Sequence, residues 1–370
     1  MVIKGANVFL PTGGFKICDV TFTDRIVAVG SDYEDGCLNG EGCYLIPGLI
    51  DIHTHGAMGA DASDGSKAGL KVMAAYYAKR GVTSFCATTM TLPEKQLARA
   101  MEVVRDFRKE EQGANCIGAY LEGPFLSVAK KGAQNAEYLQ KPDFQMLQRL
   151  NAASGGKVKL FGVAPEELQD DFFIEKAKQI CTVSLAHSTA DYETACQAFD
   201  AGASQATHLF NGMNPYAHRA PGIIGAAMDK GAFAELICDG FHIHPSVIRG
   251  VFRMFRGRVI LISDSLRCAG MPDGKYELGG QSVYLSGGVA KLSDGTIAGS
   301  CISLMDALRN VVAFGIPIEE AVRAATQNPA MAVGLDNEIG CIAPGAWADM
   351  VLLDANLSIK AIFTHGKLIG

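Results

Sequence analysis

No apolar run in this 370-residue sequence approaches the ~18 residues that a membrane-spanning helix requires. The opening stretch, MVIKGANVFLPTGGFKICDV, is broken by Lys4, Gly5, Pro11 and Gly13-Gly14 and does not read as a signal peptide. Membrane association is therefore not expected, and the expected location is the cytoplasm. There is no internal repeat and no low-complexity linker. There is also no basic block or arginine-rich stripe. The 33 Lys and Arg residues face 39 Asp and Glu, for a net charge of −6, which argues against a nucleic-acid partner. Charged residues are scarce at 19% and apolar ones reach 48%, so disorder is excluded and a large core can be buried. Eleven cysteines are present, but the count is odd, the spacing is scattered and no CxxC occurs. Cys86 in TSFCATT and Cys116 in NCIGAYL lie in apolar, strand-like runs and read as reduced packing residues. Cys18, Cys37 and Cys43 show no metal-ligand pattern.

The length suits a barrel of about 250 residues with a smaller attachment. Residues 1–45 read as short strands (VIKGANVFL, FKICDVTF, RIVAVG, CYLIP) separated by Gly, Asp and Pro turn signals. Residues 337–370 look alike, with GCIAPGAWADMVLLD and IKAIFTHGKLIG. The two ends are expected to share one small β-sandwich, because domain termini often lie close together. Residues 46–336 change rhythm to strand followed by helix. Strands are expected at 49–53, 82–88, 116–122, 158–164, 182–187, 204–209, 234–239 and 258–264, with helices at 66–80, 93–111 and 166–179 among others. Eight buried apolar strands alternating with helices predict an α/β fold of the (β/α)8 TIM-barrel type. Alternation across Lys275–Gly299 predicts a hairpin insertion after the eighth strand.

In such barrels the reactive groups come from the C-terminal ends of strands. His53 and His55 end the first strand in PGLIDIHTHG, where a spacing of two puts both imidazoles on one side of a strand. Glu122 ends the third strand, His187 the fifth, and His208 lies near the end of the sixth. Asp264 ends the eighth. Each alone has a bland reading as a capped or hydrogen-bonded residue, but half of the eight histidines fall at these ends. Imidazole and carboxylate without thiolate fit a divalent Zn, Fe, Mn or Co ion.

PGLIDIHTHG followed by separate His, His and Asp strand ends resembles the amidohydrolase superfamily. Within it, YLEGPF…KKGAQNAEY, LAHSTADY, THLFNGMNPYAHRAPG and DGFHIHP resemble the N-acetylglucosamine-6-phosphate deacetylases through nearly the whole chain. THLFNGM…HRAPG is the most specific block. The resemblance implies that Glu122, His187 and His208 hold a principal metal, zinc or iron foremost. His53 and His55 would hold a second, with Glu122 bridging. It implies Asp264 as the base that takes a proton from water and returns it to the leaving amine. Arg219 and His242 would meet a phosphate, His244 being a less favoured neighbour. Ala133, Gln134, Asn211, Gly212, Ile297, Ala298 and Gly299 would line the sugar. The implied partner is a phosphorylated N-acetyl amino sugar, and the implied assembly a homodimer in which a neighbouring subunit helps close the site. Two departures stand out. Gln134 replaces the usual His of KKGAH, and Arg267 adds a cation near the expected mouth. The same chemistry on N-acetylgalactosamine 6-phosphate is the nearest alternative; a cyclic amidase or deaminase is more distant. His218 and His365 are read as structural, in a loop and in the last strand.

Overall fold

Eight apolar stretches form a parallel sheet in chain order: Leu49–Thr54, Val82–Thr89, Asn115–Leu121, Val158–Val163, Thr182–Leu185, Gln205–Ala206, Phe233–Ile237 and Val259–Ile262. The computed structural model describes residues 1–30, 37–110, 112–170 and 172–369. Each strand pairs in parallel with the next, as where Leu160 faces Thr182 and Val163 faces Leu185. Ile50, Ile52, Tyr120, Leu160, Ile237 and Ile260 form one buried cluster. These strands are not all neighbours in the sheet, so the cluster lies inside a barrel. Burying each such side chain is worth about 1.5–3 kcal/mol. Among the described residues no ladder joins the last strand to the first. Instead the seam closes through Asp264 N–H to His53 O and His55 N–H to Ser265 O, each at 2.9 Å. The seam thus brings the end of strand eight against the end of strand one.

Helices Lys67–Ala78, Glu94–Asp106, Phe144–Ala153, Tyr192–Ala201, Gly222–Asp229, Pro245–Phe255 and Leu304–Ala313 pack around the strands in one large apolar cluster. Their starts follow side-chain chemistry: Ser66, Asp143, Asp191 and Ser303 each accept a first-turn backbone N–H. The helix expected at 93–111 ends at Asp106, and Glu111 lies outside the described residues. The helix expected at 166–179 shrinks to a turn at Pro165–Glu167 and a single short helix, Phe173–Ala177. The chain leaves the turn extended at Leu168, and Asp170 then accepts Phe172 N–H at 2.9 Å where the short helix begins. The insertion after strand eight is a three-stranded meander (Gly274–Leu278, Gln281–Ser286, Val289–Leu292), not a hairpin. Its two turns use Gly279-Gly280 and Gly287-Gly288, all at positive φ, the conformation that tight two-residue turns demand.

Strands from both chain ends make a second sheet. Val2–Phe9, Phe15–Phe22, Ile26–Val29, Cys37–Asn39 and Tyr44–Pro47 join Met350–Leu353, Ile359–Thr364 and Lys367–Leu368. Phe22 and Phe363 come from strands far apart in the sheet order, yet their ring centroids are 5.1 Å apart, so the sheet curls over its own core. Of GCIAPGAWADMVLLD, only Met350–Leu353 forms a strand. His365 sits just past its strand, at φ 48, with its ring stacked 4.1 Å from Trp347. Cys18, Cys43, Cys86 and Cys116 are free, the last two buried, while the side chain of Cys37 lies outside the described residues. Among the described residues no helix is long and apolar enough to cross a membrane.

Asp349 stands where the two sheets meet. Its backbone O accepts Gly48 N–H and its carboxylate accepts His365 N–H at 2.6 Å. Burial pushes the carboxyl up to about 7, against the pull of that N–H and of Lys109. A proton held more tightly in the folded than in the unfolded chain stabilises at low pH. This contribution is full below about pH 4 and is lost as pH rises through about 7. Asp349→Asn is therefore expected to gain on the wild type in urea-midpoint stability between pH 5 and pH 8; a difference unchanged over that window would show an ordinary carboxylate.

Candidate metal centre and active-site cavity

The strand ends converge on one buried carboxylate. Glu122 Oε1 lies 2.9 Å from His208 Nε2, 3.1 Å from His187 Nε2 and 3.5 Å from His53 Nε2. Its Oε2 lies 3.2 Å from His55 Nε2. Asp264 Oδ1 is 3.2 Å from His55 Nε2 and 3.5 Å from His53 Nε2. All six groups expected at the strand ends are thus in one cluster, and all are buried. Two triads within it have ligand atoms within 4.8 Å of one another: His53, His55 and Asp264, then Glu122, His187 and His208.

The backbone turns sharply to aim these groups. His187, His208 and Asp264 have φ of 45°, 27° and 48°, in the left-handed region that costs a side-chain-bearing residue about 1–3 kcal/mol. Gly212 makes room: a Cβ there would sit 2.8 Å from His187 Nδ1. Beyond the ligands, His187 Nδ1 is 2.8 Å from Lys130 O. A carbonyl only accepts, so Nδ1 carries the proton and Nε2 presents a lone pair. His53 Nδ1 is fixed in the same way by Glu235 Oε2 at 2.8 Å. His53 Nε2 has no hydrogen-bond partner among the described residues although it is buried. His187 Nε2 and His208 Nε2 face each other at 3.1 Å. The lone pair of His187 Nε2, a second imidazole nitrogen and a carboxylate converge there, and this donor set, free of sulfur, fits a divalent cation.

Protons and a cation compete for these lone pairs. Burial disfavours the His53 imidazolium, but Glu235, Asp264 and Glu122 outweigh it and hold its pKa well above the ordinary value. Against the same burial penalty, Asp264 and Glu122 raise His55 to about 10. In return, His53 with His187 and His208 holds Glu122 well below the usual carboxylate range, and His53 and His55 hold Asp264 below it, each against burial.

Glu235 is the residue that sequence reasoning missed. It lies inside the seventh strand, fully buried, takes Gln205 Nε2 at 2.5 Å and the His208 N–H at 3.1 Å, and orients His53. The signal was a lone carboxylate within the apolar run AELIC.

A cavity of about 210 Å³ opens above the cluster. His55, Glu122, His187, His208 and Asp264 reach it, as do Ala133, Gln134, Asn211, Gly212, His242, Ile297 and Gly299. His242 is held by Asp239, Nδ1 to Oδ2 at 2.7 Å. Three expected residues stand elsewhere. His53 lies beneath the cavity, fully buried. Ala298 is packed in the core under the meander, with its N–H bonded to Ala290 O. Arg219 is on an exposed loop, outside the cavity lining, because Pro215–Ala220 turns out into solvent. His218 shares that loop. His244 caps the helix Pro245–Phe255, accepting Ser246 N–H, and Arg267 is paired with Asp64 at 2.8 Å.

A barrel whose strand ends carry imidazoles and carboxylates around a cavity is the architecture of a metal-dependent hydrolase. The chain belongs to the Amidohydrolase family, which it matches over residues 44–369. It is 36% identical over 333 residues to N-acetylglucosamine-6-phosphate deacetylase of Bacillus subtilis (strain 168), covering 88% of this chain and 84% of the relative. It is 37% identical over 371 residues to N-acetylgalactosamine-6-phosphate deacetylase of Escherichia coli O157:H7, covering 99% and 98%. Its fold superposes with a TM-score of 0.91 on a variant N-acetyl-D-glucosamine-6-phosphate deacetylase from Mycobacterium smegmatis in complex with N-acetyl-D-glucosamine-6-phosphate, at 30% identity, over 100% of this chain and 99% of that one.

If Glu235 sets the direction of His53, Glu235→Gln weakens divalent-metal binding by about 10–100-fold, read by competition with a chelator. Unchanged affinity would mean that His53 is oriented without it.

Proposed function

We propose that the chain hydrolyses N-acetyl-D-glucosamine 6-phosphate to D-glucosamine 6-phosphate and acetate. The observation that supports this most is the position of Asp264: its carboxylate stands 3.2 Å from His55 and 3.5 Å from His53, inside the cavity and held in the ionised form. Glu122, His187 and His208 would hold a divalent cation, whose Lewis-acid charge would bring the pKa of water toward neutrality. His53 and His55, both within 3.5 Å of the same carboxylate, would hold a second ion. Zinc and iron are the favoured identities. Asp264 accepts the proton as water adds to the acetyl carbonyl carbon, and delivers it to the nitrogen as the C–N bond breaks, because an unprotonated amine leaves poorly. Buried strand ends around Asp264 keep bulk water from competing for that proton.

At the far side, His242 has Nδ1 engaged by Asp239, which leaves Nε2 for the phosphate. Arg219 does not reach the cavity of its own chain. A homodimer in which the exposed 215–220 loop of one copy reaches the cavity of the other would bring its guanidinium to the phosphate in fork geometry. We also place the barrel domain at 46–336, the small domain at 1–45 with 337–370, and the reaction in the cytoplasm. Transfer of the same chemistry to N-acetylgalactosamine 6-phosphate is the second reading, favoured by the near full-length likeness to the Escherichia coli relative.

Acetate release by metal-loaded protein on the two phosphorylated sugars and on unphosphorylated N-acetylglucosamine tests the proposal. Preference for the first supports it, preference for the second moves the pathway, and no release from any rejects both. Asp264→Asn is expected to cut kcat at least ~100-fold with metal content near normal; full activity would remove Asp264 as the base. Arg219→Ala is expected to raise KM for the phosphorylated sugar far more than for the unphosphorylated one. An equal rise on both would take Arg219 out of phosphate recognition.

A further inference from the structure

We propose that Gln134 is a positioning residue for Glu122, and that the segment Lys130–Gln134 is a strap that sets two metal ligands at once. The inference rests on reading the cluster as a metal centre. Gln134 replaces the histidine that the resemblance places there, and its amide does not point freely into the cavity. Thr91 N–H lies 2.7 Å from Gln134 Oε1, and Gln134 Nε2 lies 2.6 Å from Glu122 Oε2. A backbone N–H can only donate and a carboxylate only accept, so the amide has one consistent orientation. Its oxygen faces Thr91 and its NH2 faces Glu122. Gln134 is 2% exposed, so water does not compete for either bond.

The other end of the same segment holds a different ligand. Lys130 O accepts from His187 Nδ1 at 2.8 Å, and Lys130 Nζ is anchored on Met213 O at 3.0 Å, next to Gly212. The middle of the strap is pinned from outside: Gln281 Nε2, on the second strand of the meander, donates to Ala133 O at 2.6 Å. The meander is thereby tied to the orientation of both Glu122 and His187 without touching either. This gives the insertion a task beyond roofing the cavity. An amide also stays neutral and keeps its donor at every working pH, whereas an imidazole in that place could gain or lose a proton. Gln134 therefore fixes Glu122 and cannot act as an acid or a base.

The test is the dissociation constant for Co²⁺, taken on the full chain by competition with a chromophoric chelator, together with the visible spectrum of the Co²⁺ protein. Gln134→Met keeps the length and removes the donor. It is expected to raise the dissociation constant about 10–100-fold and to alter the spectrum, with the unfolding midpoint of the metal-free protein little changed. Gln134→His, which restores an N–H donor, is expected to recover most of that loss. Gln281→Ala touches no ligand and is expected to weaken Co²⁺ binding severalfold; it decides the matter should Gln134→Met fail to fold. Wild-type affinity and spectrum in Gln134→Met and Gln281→Ala alike would overturn the proposal. A wild-type chain that takes up no Co²⁺ would instead remove the metal-centre reading beneath it.

Discussion

A buried carboxylate cannot stand alone, and the site is organised around that constraint at Glu122. Removing an ion of this size from water costs several kcal/mol unless it is paired and hydrogen-bonded. Glu122 is 3% exposed and meets four imidazoles and one amide within 3.5 Å. Those imidazoles come from the first, fifth and sixth strands, so the neutralisation of one charge ties the first strand to a paired couple with which it shares no backbone ladder. The barrel's closure contributes to the same end. Its seam is made by backbone groups of His53, His55, Asp264 and Ser265, which are also the residues of the site or their neighbours.

The fold concentrates its strain where this convergence demands it. A strand delivers side chains along two opposite faces. To aim a side chain over the mouth, the chain must leave the strand at once. His187, His208 and Asp264 do so by adopting positive φ, and the sixth strand is cut to Gln205–Ala206 as a result. Neighbouring bonds hold the turned residues in place. His208 N–H is taken by Glu235, and Leu209 N–H by the Glu235 carbonyl, so the lost sheet pairing at the strand end is replaced rather than forfeited.

This explains what the sequence revealed and what it hid. Strand identity was legible because both faces of each barrel strand are buried, which writes a continuous apolar run. The ligands were legible as a set: one polar strand end has a bland reading, but four imidazoles and two carboxylates at five strand ends do not. Glu235 was not, since it sits within a run and its partner His53 is 182 residues away. The segment 166–179 carried helix-like spacing, but the chain turns extended at Leu168 and a new start is made at Asp170, whose carboxylate takes Phe172 N–H. Ala298 and Gly299 were inseparable by spacing, and only the packing under the meander sends one inward and the other to the cavity. Arg219 was placed at a phosphate by resemblance alone, and local pattern could not show that its loop turns away.

The two ends of the cavity answer to different physics. At the metal end, bond-making tolerates little error, since a misplacement of about 1 Å can cost ~100-fold in rate. Most groups there are accordingly fixed twice: His187 by Glu122 and Lys130, His53 by the cluster and Glu235, Gln134 by Thr91 and Glu122. At the phosphate end, a dianion can be attracted and held through Coulomb forces that decay slowly with distance. In the proposed reading, one anchored imidazole, His242, and the guanidinium of an exposed loop from a second copy would hold it. On that reading the doubly fixed end would define the reaction, while the open end would govern which substrates are brought to it.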